Sequence, residues 1–186
     1  YQPVEAVEQI RAKSKVVYPA VDVGQGKADG LGNTGDYLHI VWAARWEHDK
    51  RPEDFFGAVD RLIKKGLGDK IKVSVIGESF RDSPDCFKAA RQRLDNVILS
   101  WGWQDSRADY LDVLKNTDVI VSTAGHEFFG MAVVEAVSCG AMPVLPDRLA
   151  YPEIFAGAPD SKKIFYDGSV DGLVDKLAGL IKIKQT

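Results

Sequence analysis

The chain has 186 residues, 45% of them hydrophobic and 27% charged, and 24 basic against 27 acidic side chains leave a net charge of −3. This composition suits one compact globular domain and excludes intrinsic disorder. It neither marks nor forbids a nucleic-acid partner, because a basic patch can sit on a mildly acidic domain. No apolar run approaches the roughly 20 residues of a membrane-spanning helix, and no signal peptide is visible. The two cysteines, Cys86 and Cys139, lack metal-ligand spacing and read as reduced structural thiols of a cytoplasmic protein.

The first residues read as the middle of a longer protein. "VEAVEQIRAKSKVVYP" is expected to be a helix and a strand that close a preceding domain, with the strand at "KSKVVYP", so residues 1–22 are assigned to its tail. Residues 23–36, "VGQGKADGLGNTGD", hold five of the 17 glycines and almost nothing apolar, and they read as a flexible connection. A phosphate-cradling loop is the alternative there, but a dinucleotide fingerprint opens a helix, and this segment runs into a strand.

From residue 37 onward short apolar runs alternate with helical patterns. "YLHIVWAA", "IKVSVIG", "NVILSWG", "DVIVSTA", "AMPVLP" and "KKIFYD" read as buried strands. Residues 52–65 start with Pro52, carry Glu53 and Asp54 in the first turn, and stop before Gly66, the pattern of a capped helix. Ser106 with Asp109, and Ser169, are candidate caps of two later helices. Alternation of this kind implies crossover connections and a parallel sheet covered on both faces. The expected fold is therefore a doubly wound, Rossmann-like α/β domain over residues 37–186.

Ligands of such sheets bind beyond the carboxyl ends of the strands. Two of those ends carry the suggestive residues. "RWEHDK" follows the first strand with Arg45 and Lys50, and "GHEFFGMAVVEAVSCG" follows "DVIVSTA". Gly130 is expected at a helix N-terminus, where backbone N–H groups and the helix dipole favour an anion such as a diphosphate. Glu135 lies in an otherwise apolar helix, and burying its charge is costly unless strong donors meet it. Ribose hydroxyls of a ligand are expected to supply them. Glu127, with seven residues between it and Glu135, falls nearer the helix mouth, about 12 Å away if the intervening chain were all helical.

Glu127 and Glu135 with the intervening "FFG" resemble the paired-glutamate motif of family 4 retaining glycosyltransferases. Arg45 and Lys50 match the basic pair that this family places after the first strand of its carboxy-terminal domain. "WGW", "STAGHEFFG", "SCGAMPVLPDRLAYPEIF" and "VVYPAVD" also fall where its pattern expects them, so the resemblance covers essentially the whole chain. It implies one half of the two-domain GT-B fold, the half that binds a nucleotide-sugar donor. "LHIVWAARWEHDKRPEDFF" and "VSVIGESF" are most similar to a branch of the family that transfers mannose from GDP-mannose to queuosine in tRNA.

The resemblance implies a role for each matching residue. Arg45 and Lys50 would neutralise the departing diphosphate without a metal or other cofactor. Glu127 would hold sugar hydroxyls, with Phe129, Gly130 and Met131 offering backbone N–H groups. Glu135 would bind the ribose, and Gly102 and Trp103 would contact the base. The tRNA acceptor would be held by the absent amino-terminal domain, so the chain alone is expected to bind donor without efficient transfer. His126 and His48 are possible supporting residues, whereas His39 reads as structural. Trp42, Trp46, Trp101 and Trp103 read as core and pocket wall.

Two departures stand out. Phe128 occupies a position that is glycine in many relatives, and "RLAYPE" before Glu153 lacks a glycine common there. Glu153 is expected either to pair with Arg148 or cap locally, or to touch the sugar. Other readings are transfer from UDP- or ADP-glucose to a glycan or lipid, and a non-catalytic nucleotide-sugar binding module.

Overall fold

The computed structural model describes residues 4–21, 35–158 and 161–185. Six strands, β1 (Leu38–Ala43), β2 (Ile71–Ile76), β3 (Ile98–Gly102), β4 (Val119–Val121), β5 (Met142–Pro146) and β6 (Phe165–Tyr166), form one sheet in the order β3-β2-β1-β4-β5-β6. Every neighbouring pair is parallel. Parallel neighbours need crossovers, and helices supply them: α2 (Pro52–Leu62), α3 (Cys86–Arg93), α4 (Arg107–Lys115), α5 (Met131–Ser138), α6 (Tyr151–Ile154) and α7 (Ser161–Ile164). Helix α1 (Val4–Lys13) precedes the sheet and α8 (Val170–Lys184) follows it. The fold is Rossmann-like α/β.

Period-two alternation splits the core into two layers. Leu38, Ile40 and Trp42 of β1 pack with Phe55, Phe56 and Val59 of α2, Phe87 of α3 and Leu173 and Leu177 of α8. Val41, Ile76, Ile120 and Leu145 face the other way, onto Leu114, Val133, Ala136 and Tyr151. Two polar side chains are buried in β1 and β2, and they satisfy each other. His39 Nε2 lies 2.8 Å from Ser74 Oγ, and His39 Nδ1 lies 2.7 Å from the Asn116 carbonyl. Burial holds the His39 pKa below its ordinary value.

Both candidate caps form: Ser106 Oγ accepts from Asp109 N–H at 3.1 Å, and Ser169 Oγ from Gly172 N–H at 3.0 Å. The helix expected over 52–65 is α-helical to Leu62 and then widens into a π turn, Ile63–Leu67, because Gly66 takes a left-handed φ of +80°. At the last turn of α8, Lys184 Nζ lies 3.0 Å from Asp118 Oδ1, both side chains being buried. The other oxygen of Asp118 accepts the His39 N–H at 2.8 Å.

The strand expected at 13–19 does not form. Helix α1 ends at Lys13, and Ser14–Val21 have no regular structure, with Val16 and Val17 exposed. An extended apolar segment becomes a strand only beside a pairing partner, and none of the six strands pairs with it. The expected strand at "KKIFYD" shrinks to Phe165–Tyr166. The connection expected at 23–36 falls, apart from its last two residues, outside the described residues. Trp42 and Trp46 are core residues and Trp101 packs against them, while Trp103 is exposed.

Candidate functional site

The strand order reverses between β1 and β4, so the chain leaves their carboxyl ends in opposite directions and a crevice opens there. A cleft of about 380 Å³ occupies it, lined by Trp42 and Ala43 at the end of β1, by Ala44, Arg45 and Lys50 after it, by Val121, Ser122 and Ala124 of β4 and its extension, and by Glu127, Gly130–Val133 and Tyr151. Two turns meet there and are stapled together. The Asp49 carbonyl accepts the N–H groups of Gly125 (2.7 Å) and His126 (3.3 Å). Thr123 Oγ1 donates to the Lys50 carbonyl (2.8 Å) and accepts from Trp42 Nε1 (3.0 Å).

Lys50 is 7% exposed. A buried ammonium requires partners, and three surround it: it donates to the His126 carbonyl at 2.7 Å and lies 3.1 Å from Asp49 Oδ2 and 3.4 Å from Glu127 Oε2. Arg45 lines the same cleft from its exposed rim, with Nη1 3.0 Å from Glu47 Oε1. Glu127 is oriented by its own loop, since Oε1 accepts the N–H groups of Phe128 (3.1 Å) and Phe129 (3.4 Å).

Helix α5 begins at Gly130, whose φ of +81° suits glycine, and its first residues line the cleft. A Cβ at Gly130 would lie 2.8 Å from the Tyr151 ring. The Tyr151 hydroxyl donates to Ser122 Oγ at 2.8 Å, and burial chiefly pushes its pKa up, so it stays a neutral donor. The first N–H groups of a helix have no partner within it and carry the positive end of its dipole. The lysine and the helix mouth thus face the same cleft.

Glu135 does not wait for a ligand to supply its donors. Arg107 Nη2 approaches Oε1 at 2.6 Å and the Tyr110 hydroxyl donates to Oε2 at 2.7 Å, both from α4. The expectation that ligand hydroxyls must meet this carboxylate is thus corrected: the neighbouring helix meets it first. Burial, then the bond to Glu135, raises the Tyr110 pKa. Arg107 and Tyr110 also line a second cleft of about 370 Å³ with Gly77, Trp103, Gln104, Asp105 and Ser106. Glu135 therefore stands behind the wall of that second cleft.

The first cleft brings Arg45, Lys50, Glu127, Gly130 and Met131 together, and Trp103 belongs to the second. Gly102, with φ +90°, turns the chain into that second cleft, and its carbonyl accepts the Gly77 N–H at 3.1 Å. The Phe129 ring points at Tyr18, and the two stack with centroids 5.8 Å apart. His126 contributes its carbonyl, and its ring stands edge-on to Phe128 at 4.7 Å. His48 lies in the turn between Arg45 and Lys50, with its side chain exposed and its carbonyl accepting the Arg51 N–H. Arg148 does not pair with Glu153. Its guanidinium donates to the Ala124 and Thr123 carbonyls, and Glu153 accepts from the Tyr18 hydroxyl.

Sequence reasoning missed Tyr151, Ser122, Asp49, Arg107 and Tyr110. One signal was present: Arg107 and Tyr110 stand at i, i+3 just after the Ser106 cap, on one helix face. Asp49 acts through its backbone carbonyl as well as its carboxylate, and no residue pattern announces that. Among the described residues, no group of three or more His, Cys, Asp and Glu is placed to hold a metal ion, and no helix is long and apolar enough to cross a membrane.

Residues 5–186 match the family model described as glycosyl transferases group 1. A curated relative, the tRNA-queuosine alpha-mannosyltransferase of Drosophila melanogaster, is 35% identical over 156 residues, 80% of this chain and 41% of the relative. The chain thus spans about two-fifths of that relative's length. Among solved structures, TarM superposes with a TM-score of 0.72 at 15% identity over 98% of this chain and 36% of TarM. The catalytic domain of the cholesterol-alpha-glucosyltransferase from Helicobacter pylori superposes with a TM-score of 0.60 at 17% identity, over 80% of this chain and 91% of that one. At these identities the likeness is one of fold.

Proposed function

The chain belongs to the group 1 glycosyl transferases, and on that footing we propose that it is the donor-binding half of a retaining glycosyltransferase that moves mannose from GDP-mannose to queuosine in tRNA. The name of the Drosophila relative supports mannose as the sugar and queuosine in tRNA as the acceptor, and the choice of GDP as the nucleotide rests on the resemblance. The observation that carries the donor site is Lys50, buried in the crevice beside the N-terminus of α5. The diphosphate lies between them, with Arg45 at the rim. As the bond from the sugar to the diphosphate breaks, negative charge grows on the leaving oxygen, and these fixed positive groups stabilise it without reorganising. They do electrostatically what a metal ion would do.

Glu127 accepts from sugar hydroxyls, and the Gly130 and Met131 N–H groups meet the sugar or the phosphate. Glu135, already oriented by Arg107 and Tyr110, takes the ribose hydroxyls, and Gly102 and Trp103 border the base. The acceptor oxygen attacks from the face that the diphosphate leaves, so neither glutamate acts as a nucleophile. Acceptor contacts belong to a further domain, and this chain alone binds donor without efficient transfer.

The test is calorimetric titration of the chain with GDP-mannose, GDP, UDP-glucose and ADP-glucose, with and without EDTA. Binding of GDP and GDP-mannose that EDTA leaves unchanged is the expected result. Preference for a UDP or ADP sugar would overturn the mannosyl assignment while keeping the reaction class. Efficient mannosylation of tRNA by the chain alone would overturn its description as a donor-binding half.

A further inference from the structure

Phe129 is expected to serve the donor site through its backbone, yet its side chain is engaged elsewhere. The loop it belongs to, from His126 to Gly130, holds Glu127 in the cleft through the N–H groups of Phe128 and Phe129. From below, Tyr151 of α6 fills the space that a side chain at Gly130 would occupy. From above, the loop meets Tyr18, which comes from the irregular segment after α1. The Tyr18 and Phe129 rings stack at 5.8 Å with 29° between their planes, and the Tyr18 hydroxyl donates to Glu153, also on α6. Two tyrosines thus bracket one loop, and both are anchored through α6.

We propose that Tyr18 is a positioning residue for the sugar-binding carboxylate: it clamps the Phe129 ring and so keeps the 126–130 loop in the shape that aims Glu127 into the cleft. The inference rests on the donor-site reading for its ligand arm. Its physical basis is independent of that reading. Glycine at 130 gives the loop a permissive pivot, and one carboxylate oxygen is held by two amides of the same loop at 3.1 and 3.4 Å, so its aim follows the loop's shape. An aromatic stack of this geometry contributes beyond simple area burial. Tyr18 lies ahead of the segment at 22–34, so the donor site is tied to chain that comes before the sheet.

The clamp acts on Glu127 more directly than on Lys50, whose backbone carbonyl is fixed by Thr123 and whose ammonium lies 3.1 Å from Asp49, both outside the clamped loop. This separation supplies the test. Tyr18→Ala and Tyr18→Phe are compared with the unaltered chain for binding of GDP-mannose and of GDP. Tyr18→Ala is expected to weaken GDP-mannose about tenfold and GDP by less than about twofold, with Tyr18→Phe between them because it keeps the ring. Equal weakening of both ligands, or no change in either, overturns the proposal.

A second arm needs no ligand. Hydrogen exchange at the Phe128 and Phe129 amides is expected to quicken in Tyr18→Ala while β1 and β4 stay protected, and unchanged exchange at both amides overturns the proposal. If the unaltered chain binds none of the nucleotide sugars, the donor assignment fails by itself, and the exchange arm still decides the role of Tyr18.

Discussion

Replacing Lys50 by Met keeps the buried stem and removes the charge. Nζ sits 3.1 and 3.4 Å from the carboxylates of Asp49 and Glu127, so the lysine is already partly neutralised before any ligand arrives. One phosphate charge about 4 Å from Nζ is worth about 4 kcal/mol at an effective dielectric constant of about 20. Offsetting roughly half of that for the two resident carboxylates leaves about 2 kcal/mol, or about 30-fold in affinity. The variant also leaves Asp49 and Glu127 facing each other without a cation, which adds to the loss rather than relieving it. The assay is calorimetric titration with GDP and GDP-mannose at low and high salt, with circular dichroism confirming that the variant is folded. Both ligands should weaken by about the same factor, because the diphosphate is common to them. An affinity for GDP within about threefold of the unaltered chain would refute the placement of the diphosphate beside Lys50.

Lys184→Met removes the 3.0 Å ion pair from the buried Asp118 carboxylate, and a loss of about 3–5 kcal/mol is expected from the urea midpoint. Gly130→Ala forces a side chain into a left-handed position 2.8 Å from the Tyr151 ring, and should cost about 1–3 kcal/mol and weaken nucleotide-sugar binding. His39 titrates below its ordinary pKa of 6.5 when folded. The unfolded chain therefore takes up its proton first, and stability falls as the pH drops below about 6.5; His39→Gln should flatten that limb of a stability–pH curve and lower stability at neutral pH. The Cys86 thiol is pushed up to about 12 by burial and by Glu53, so iodoacetamide at pH 8 should label it far more slowly than it labels the unfolded chain.

The fold was legible because its signals were local and redundant. β1, β2 and β4 are almost wholly buried along their length, and the caps at Ser106 and Ser169 form as their sequences suggest. The segment around Val16 and Val17 carries the same kind of apolar run and forms no strand. Strand formation needs a neighbour, and a neighbour is a property of topology rather than of local sequence. At the site, Arg45, Lys50, Glu127 and Gly130 line one cleft because the sequence puts them just after two strands whose carboxyl ends are neighbours. The partners of Glu135 were not legible, because Arg107 and Tyr110 reach it across 28 and 25 residues. Nor was Tyr18, which lies 135 residues from Glu153.

The arrangement around Glu135 has a consequence for the order of events in binding. A carboxylate that found its first donors in a ligand would have to shed water and settle into one rotamer at the moment of encounter. Here the dehydration and the loss of rotamer freedom are completed when α4 docks on α5 during folding, with a guanidinium and a phenol already in place. A carboxylate has roughly four acceptor directions, and Arg107 and Tyr110 occupy two of them, so on the proposed donor reading the ribose hydroxyls would meet the other two. Such a site is preorganised, and preorganisation lowers the entropic cost of association. Its affinity is thereby tied to the docking of one short helix: fraying of α4 would disorder the carboxylate while the sheet beneath it stayed intact.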